Sequence, residues 1–273
     1  MFADFKRAIA KALSASASAI LLDPEFGLGE SLSVGAIAAR TGLIVALEET
    51  GYAGSAEDRM ATLLSGWTIE KAVRVGADAV KLLVYYHPRA ASANSQEDLV
   101  KRVAEECRRL DIPLFLEPLS YSAEGGAGLS SAQKTEVVVE TARRLTPLGV
   151  DVLKAEFPLD PVEEPDESAA RDACRQLTQA STVPWVLLSA GVSFEEFIRQ
   201  TEIACASGAS GVLAGRALWA EATRLVGDER DTFLSLVGVD RLRALGRAVE
   251  AGALPLTDLI KGPALKEGWF ATY

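Results

Sequence analysis

The stretch Ala79-Val80-Lys81-Leu82-Leu83-Val84-Tyr85 decides the fold, because it is a short, almost continuously apolar run between two helical patterns. The helical patterns cover residues 67–75 and 96–110, and the turn Gly76-Ala77-Asp78 links the first of them to the run. Strands that are apolar nearly throughout are typical of parallel sheets whose two faces are both covered by helices. Residues 67–110 therefore predict a helix, a parallel strand and a second helix in succession.

The same alternation continues in both directions from this stretch. Phe2, Phe5, Ile9 and Leu13, at spacings of three and four, predict an amphipathic helix ahead of the first strand. Further apolar runs predict strands at residues 19–22, 43–47, 113–116, 150–154, 185–188 and 211–214. Further helical patterns predict helices at residues 131–145, 167–179 and 194–207. Strand then helix, repeated, indicates an α/β protein built from parallel βαβ units.

The composition of the 273 residues excludes several classes of protein. Hydrophobic residues make up 49% and charged residues 24%, and no apolar run approaches the roughly 18 residues of a membrane span, so the chain is neither disordered nor transmembrane in character. A net charge of −10 argues against a nucleic-acid partner, although it allows a small basic pocket for phosphate. No glycine-rich dinucleotide or nucleoside-triphosphate motif occurs. We expect no nucleic-acid or membrane partner and no cofactor.

Histidine and cysteine are few. A single histidine, His87, makes a histidine-rich metal site impossible within one chain, and we expect no metal. Because His87 follows the run 79–85 and precedes a proline, it is either a general base at a strand end or, as loop punctuation favours, a polar loop residue. Cys107, Cys174 and Cys205 are an odd number of widely spaced cysteines, which predicts reduced, buried thiols and a cytoplasmic location.

Polar side chains lie at comparable places near the ends of the predicted strands. They are Asp23, Glu48, Lys81, Glu117, Lys154 with Glu156, Ser189 and Arg216. In a parallel barrel the C-terminal ends of all strands meet at one face, so these groups are expected to point toward a shared cavity. An unpaired buried ammonium costs on the order of several kcal/mol, so Lys81 and Lys154 need carboxylate neighbours or a function. The purely structural alternative is a set of ion pairs, Lys81 with Glu117 or Glu48 and Lys154 with Glu156.

Schiff-base catalysis is the chemistry that needs such a set of residues. A lysine amine is nucleophilic only when it is unprotonated, and an apolar wall or a second cation lowers its pKa toward neutrality. A carboxylic acid then carries the protons that carbon–carbon cleavage requires. On this ground alone, either Lys81 or Lys154 is the nucleophile.

A phosphate site is predicted at the ends of the last two strands. Small residues follow both strands, and they are Ser189, Ala190 and Gly191 after one and Gly215 with Arg216 after the other. Backbone N–H groups and an arginine fork at this place in a barrel suit phosphate oxygens. The alternative is a tight strand-to-helix turn without a ligand.

The chain resembles the tagatose 1,6-bisphosphate aldolases and the related sulfofructose-phosphate aldolases from about residue 11 to residue 219. Seven motifs carry this resemblance in order, at residues 20–28, 48–52, 79–86, 115–117, 151–156, 188–192 and 213–219. The resemblance implies a class I aldolase in a TIM (β/α)8-type barrel without a metal. It implies one barrel domain over residues 1–273, with an opening helix at 1–18, seven βα units at 19–216, and a helical region and tail at 217–273.

The resemblance also implies the roles of individual residues. Lys154 matches the family's Schiff-base lysine, Glu117 its proton-transferring carboxylate and Lys81 a lysine beside the imine. The family's binding site for the dihydroxyacetone phosphate moiety is matched by Ser189, Ala190, Gly191, Gly215 and Arg216. Further candidate site residues are Asp23, Glu48 and Glu156. The implied reaction is cleavage of a ketose phosphate, such as tagatose 1,6-bisphosphate, to dihydroxyacetone phosphate and an aldehyde.

The chain departs from the family pattern at its beginning. Family members have a first strand, ending in Asp-Gln-Arg, before the opening helix, and only seven of the eight strands are found here. We therefore expect either a start at an internal methionine of a longer protein or an open or partner-filled barrel. The alternatives are a deoxyribose-phosphate type aldolase or a non-catalytic sugar-phosphate sensor. Trp269, Phe270 and Tyr273 are expected to cover apolar surface on this or another subunit, and the chain is a candidate homo-oligomer.

Overall fold

A computed structural model describes residues 2–125, 128–260 and 267–271, and its centre is one parallel sheet of seven strands that curls into a half-barrel. The strands of this sheet, in spatial order, are β1 Ala19–Leu22, β2 Gly42–Ala46, β5 Ala79–Tyr85, β6 Leu114–Leu119, β7 Val152–Ala155, β8 Trp185–Leu188 and β9 Gly211–Leu213. Neighbouring strands in this order all pair in parallel. The predicted α/β class and all seven predicted strands are confirmed.

Helices follow the strands and cover the outside of the sheet. The described helices are α1 Phe2–Leu13, α2 Gly29–Ser33, α3 Ile69–Arg74, α4 Ala93–Arg109, α5 Ser131–Leu145, α6 Glu167–Ala180, α7 Phe194–Cys205, α8 Arg216–Trp219, α9 Gly227–Phe233, α10 Val239–Gly252 and α11 Leu256–Leu259. Local sequence fixes where three of these helices begin, because Thr68, Ser130 and Ser193 each accept a hydrogen bond from the first turn of the helix that follows. None of the described helices is long and apolar enough to cross a membrane.

Alternation along β5 separates the core from the interior of the half-barrel. Val80, Leu82 and Val84 are fully buried in an apolar cluster that β5 shares with α3 and α4. Lys81 and Tyr85 point to the opposite face, because successive side chains of a strand alternate. The hydrophobic residues therefore hold the helices to the sheet, and the ionisable ones are directed inward.

The sheet is open in the described part of the chain. β1 pairs only with β2, and β9 pairs only with β8. Residues 256–259 are helical and residues 269–271 form a 3-10 turn, so no described residue after β9 supplies another strand. Seven parallel strands with two free edges agree with the expectation of an incomplete eight-stranded arrangement.

Two features lie outside the predicted pattern. A short antiparallel pair, β3 Ala53–Gly54 with β4 Arg59–Met60, folds back over the end of β2. Asp23 begins a π-helical turn at Pro24–Leu28, where its side chain accepts a hydrogen bond from Phe26 N. Both are built from short loops that carry no hydrophobic period.

The three cysteines and the terminal aromatic residues have clear environments. Cys107, Cys174 and Cys205 are free and buried, and burial raises their thiol pKa values to about 12, 12 and 11. Trp269 is 44% exposed and Phe270 is 74% exposed, so neither is enclosed within this chain. Tyr273 lies outside the described residues. Whether these aromatic residues face another subunit remains a prediction.

Candidate active site

Four ionisable side chains from adjacent strands meet inside the half-barrel. Lys81 comes from β5, Glu117 from β6 and Lys154 from β7, while Glu48 follows β2 by two residues. Strand register brings them to one level, since Ala46 pairs with Lys81 and Leu83 pairs with Glu117. Lys81, Glu117 and Lys154 are 5%, 8% and 7% exposed, so the charges are withdrawn from bulk water.

The four groups form one continuous chain of ion pairs. Lys81 Nζ contacts a carboxylate oxygen of Glu48 and lies 3.2 Å from Glu117 Oε2. Lys154 Nζ lies 2.6 Å from the other oxygen, Glu117 Oε1. The second oxygen of Glu48 accepts a hydrogen bond of 3.0 Å from Leu83 N. Glu117 therefore bridges the two lysines, and Lys81 alone has a second carboxylate.

Of the ion pairs in the structural alternative, Lys81 pairs with both Glu48 and Glu117, but Lys154 does not pair with Glu156. Glu156 instead accepts a 2.7 Å hydrogen bond from Ser120 N. The strand β7 ends at Ala155, so the alternation that would have put Glu156 on the same face as Lys154 stops before it. Glu156 lies at the rim and ties the end of β6 to the end of β7.

Burial and charge move the pKa values of the two lysines in opposite directions. Burial by itself lowers the pKa of Lys81, but Glu48 and Glu117 outweigh it, so the pKa of Lys81 is raised. Burial also lowers the pKa of Lys154, the charge of Lys81 adds to this effect, and Glu117 does not compensate fully, so the pKa of Lys154 is lowered. Burial raises the pKa of Glu117, but the two lysines outweigh it and hold that pKa below its usual range.

The residues predicted to bind phosphate lie together at the ends of β8 and β9. Ser189 Oγ accepts a 3.2 Å hydrogen bond from Gly215 N, which joins the two strand ends. Ala190 and Gly191 both adopt left-handed backbone conformations, with φ of 46° and 81°. An added Cβ at Gly191 would lie 2.9 Å from Arg216 Cζ, so the guanidinium packs closely on this backbone. Arg216 is exposed and makes no ion pair within the described residues.

Two other candidates lie apart from the ion-pair chain. Asp23 pairs with Lys6 of α1 and caps the turn that follows β1. His87 is 3% exposed, and its Nδ1 accepts a 3.1 Å hydrogen bond from Arg89 N. Burial lowers the pKa of His87. His87 thus has the place of a loop residue, and Asp23 has a structural contact of its own.

One charged side chain at the rim was not among the sequence candidates. Arg59, in β4, lies over the rings of three tyrosines that follow or end neighbouring strands, Tyr52, Tyr85 and Tyr121. The signal available in the sequence was a tyrosine within six residues of the ends of three neighbouring strands of the sheet. Arg59 itself lies in the short β3–β4 pair, where no hydrophobic periodicity distinguishes it.

The described residues also limit the kinds of ligand set that are present. No group of three or more histidine, cysteine, aspartate or glutamate side chains within them is arranged to hold a metal ion. The arrangement that is present offers one buried amine with a lowered pKa, one carboxylate in contact with it, and a basic rim. Such groups can form an imine and move protons.

Comparisons with known proteins give the family. The model of the DeoC/LacD family aldolases matches residues 1–221. A tagatose 1,6-diphosphate aldolase of Listeria monocytogenes serotype 4a (strain HCC23) is 33% identical, over 92% of this chain and 80% of that protein. A tagatose 1,6-diphosphate aldolase 1 of Streptococcus pyogenes serotype M3 (strain SSI-1) is 34% identical, over 92% of this chain and 83% of that protein.

Solved structures resemble the fold at low sequence identity. An archaeal fructose-1,6-bisphosphate aldolase, with its catalytic lysine covalently bound to the carbinolamine intermediate of the substrate, has a TM-score of 0.57 at 18% identity and covers 90% of this chain and 99% of its own. The fructose-bisphosphate aldolase of Plasmodium falciparum has a TM-score of 0.71 at 15% identity and covers 92% and 83%. The half-barrel therefore has the architecture of TIM-barrel class I aldolases. This chain belongs to the DeoC/LacD family and is an aldolase, an enzyme of the lyase class.

Proposed function

We propose that this aldolase cleaves a ketose phosphate to dihydroxyacetone phosphate and an aldehyde through an imine on Lys154, with tagatose 1,6-bisphosphate as the leading substrate. The observation that carries the proposal is the difference between the two buried lysines. Only Lys154 has a lowered pKa, because burial and the charge of Lys81 both disfavour its protonated form. Lys81 has two carboxylate partners and stays protonated. A nucleophilic amine is thus held beside a permanent cation.

The reaction requires several proton transfers and one new covalent bond to the protein. The neutral amine of Lys154 adds to the C2 carbonyl, and loss of water from the carbinolamine gives the iminium ion. The C3–C4 bond then breaks as the C4 hydroxyl loses its proton, which releases the aldehyde and leaves an enamine. Protonation of the enamine at C3 and hydrolysis by water return dihydroxyacetone phosphate and free Lys154.

Glu117 is the proton carrier that this scheme needs. Its Oε1 lies 2.6 Å from Lys154 Nζ, so it can take the proton that the amine loses during addition. Its lowered pKa keeps it ionised, and therefore able to accept, when the cycle begins. Lys81 contributes by holding the other oxygen of Glu117 and by keeping Lys154 neutral.

The substrate phosphate is assigned to the rim formed by β8 and β9. Ser189, Ala190, Gly191 and Gly215 supply a short hydroxyl and close backbone approach, and Arg216 has no ion pair in the described chain. A guanidinium held against a glycine backbone suits phosphate oxygens. The names of the two bacterial relatives support tagatose 1,6-bisphosphate over other ketose phosphates. The free thiols support a cytoplasmic location.

Release of dihydroxyacetone phosphate from tagatose 1,6-bisphosphate tests the proposal. We expect Lys154→Met to abolish release, since among the described residues the only other amine that contacts Glu117 is Lys81, whose pKa is raised. Lys101→Met is the matched control, because Lys101 is an exposed lysine on α4, and it should leave the rate unchanged. Full activity in Lys154→Met would contradict the imine, and cleavage of acetaldehyde-derived aldols in preference to ketose phosphates would point to the deoxyribose-phosphate type.

A further inference from the structure

Arg59 lies in a cage of three tyrosines at the rim of the sheet. Its Cζ is 4.7 Å from the ring centre of Tyr52, 5.0 Å from that of Tyr121 and 5.9 Å from that of Tyr85. Tyr52 and Tyr121 follow β2 and β6, and Tyr85 ends β5. The guanidinium therefore lies above the carboxyl ends of three neighbouring strands. We call this arrangement the Arg59 cage.

The Arg59 cage is fixed from several loops at once. Arg59 N donates to Tyr121 Oη over 3.2 Å, and Ser92 Oγ donates to Arg59 O over 3.3 Å. Arg59 Nε donates to Ala56 O over 2.9 Å. Neighbouring Asp58 accepts a 2.8 Å hydrogen bond from Ser92 N, which anchors the same turn. The cation is thus held in one orientation before any ligand arrives.

The positive charge of the Arg59 cage has no counter-ion. Within residues 2–125, 128–260 and 267–271, no carboxylate pairs with Arg59, and its two terminal nitrogens make no hydrogen bond. Rings stabilise the flat face of a guanidinium and leave its edge free for oxygen acceptors. A fixed edge of this kind matches a tetrahedral oxyanion, to which arginine donates two parallel hydrogen bonds.

The Arg59 cage includes a side chain on the same face of β5 as Lys81 of the ion-pair chain. Tyr85 and Lys81 are four residues apart on β5 and so share a face, about 13 Å apart along the strand at roughly 3.3 Å a residue. Burial raises the pKa of the Tyr85 hydroxyl, Arg59 opposes the rise, and Tyr52, Glu117 and Glu48 add to it, so this phenol is influenced by charges of both the cage and the ion-pair chain.

Two unpaired arginines therefore flank the proposed imine. Arg216 lies at the end of β9, Arg59 lies over β2, β5 and β6, and Lys154 on β7 is between them. We propose that Arg59 binds the distal anionic group of the substrate, a phosphate or sulfonate at the end opposite the dihydroxyacetone phosphate moiety. This proposal rests on the proposed function for the reacting end, and it makes the enzyme selective for ketoses that are anionic at both ends.

The test compares substrates that differ only at the distal end. For Arg59→Gln we expect kcat/KM for tagatose 1,6-bisphosphate to fall about 10- to 100-fold, and kcat/KM for tagatose 1-phosphate to stay nearly the same. Arg59→Lys keeps the charge without the fork and should give a smaller selective loss. A sulfonate analogue of the bisphosphate forms the third arm, and the doubly anionic substrate that loses more on mutation is the one the cage recognises.

Controls separate this proposal from the proposed function. Arg102→Gln changes an exposed arginine of α4 and should leave both substrates unaffected. Equal losses for the mono- and bisphosphate, or no loss for either, would overturn the role of Arg59, provided that dihydroxyacetone phosphate and borohydride still label Lys154 in Arg59→Gln. Absence of that label in the wild-type protein would instead overturn the imine itself.

Discussion

The pKa values of the two lysines that share Glu117 are shifted in opposite directions because their other neighbours differ. Lys81 has Glu48 as a second partner, whereas Lys154 has only Glu117 and lies beside the charge of Lys81. Removing a partner from a buried charge is costly, so each member of this chain depends on the next. The assignment of the nucleophile thus depends on contacts between strands, and the pattern within either strand leaves it open.

The dependence of activity on pH follows from this difference. Only the neutral form of Lys154 reacts, so kcat/KM should rise with pH through an inflection below the ordinary lysine value of 10.5. Lys81→Met removes a like charge and leaves Glu117 to Lys154 alone; both changes favour the protonated amine. The inflection should therefore move to higher pH, and each unit of movement lowers the neutral fraction near pH 7 about tenfold.

A charge-preserving variant controls this prediction. Lys81→Arg keeps a cation beside Lys154, so its inflection should stay close to that of the wild-type enzyme. The measurement is the profile of kcat/KM from pH 6 to pH 10 for the three proteins, with their melting temperatures recorded in parallel. An inflection that moved to lower pH in Lys81→Met would contradict the electrostatic account of the site.

At the scale of elements, the turn after β8 is constrained by two successive residues, Ala190 and Gly191, in left-handed backbone conformations. Gly191 has φ of 81°, and an added Cβ would meet Arg216 Cζ at 2.9 Å. Gly191→Ala should cost about 1–3 kcal/mol of stability and displace the guanidinium. We expect KM for the ketose phosphate to rise about tenfold or more, because the lost contact is a charged one.

Gly246→Ala is the matched substitution elsewhere in the chain. Gly246 lies on the exposed face of α10, and nothing lies within 4 Å of an added Cβ. This variant should be more stable by about 0.5–1 kcal/mol, because alanine reduces the entropy of the unfolded chain, with KM unchanged. A KM in Gly191→Ala equal to that of Gly246→Ala would show that the turn does not form the phosphate site.

The strands were predictable from sequence because buried parallel strands are apolar almost throughout. The predicted run at 113–116 stopped at Glu117, yet β6 continues to Leu119, since Glu117 and Pro118 pair with Leu83 and Val84 of β5. The side-chain contacts between neighbouring strands were less predictable than the strands themselves. Lys154 contacts Glu117 because of the β6–β7 register, and a single sequence does not carry that information. The Arg59 cage is not predictable from a single sequence either, because its members come from separate segments of the chain.

At the scale of the whole molecule, charge is distributed unevenly between the outside and the rim. The net charge is −10, yet Lys81, Lys154, Arg216 and Arg59 all belong to the interior of the half-barrel or its rim. A net charge therefore says little about the ligand of a cavity, which responds to the charges that line it. The acidic exterior favours solubility. Inside the half-barrel Glu48 and Glu117 balance Lys81 and Lys154, so the charges that favour an anionic substrate are the rim arginines Arg59 and Arg216.

The open sheet also determines how well the strands that carry the two lysines are supported by their neighbours. In the described chain β1 and β9 each pair on one side, while β5, β6, β7 and β8 have neighbours on both. All three residues of the Lys81–Glu117–Lys154 cluster lie on these doubly paired strands. The residues of the proposed imine chemistry therefore lie on strands that are paired on both sides, and the open edges lie beside Asp23 and Arg216.

Borohydride reduction of the intact protein in the presence of dihydroxyacetone phosphate tests the central claim most directly. Reduction converts an imine into a stable secondary amine, which peptide mass spectrometry assigns to a residue. The account predicts one adduct, on Lys154, formed faster as pH rises and absent from Lys154→Met. An adduct on Lys81, or no adduct under conditions where the enzyme turns over, would contradict it.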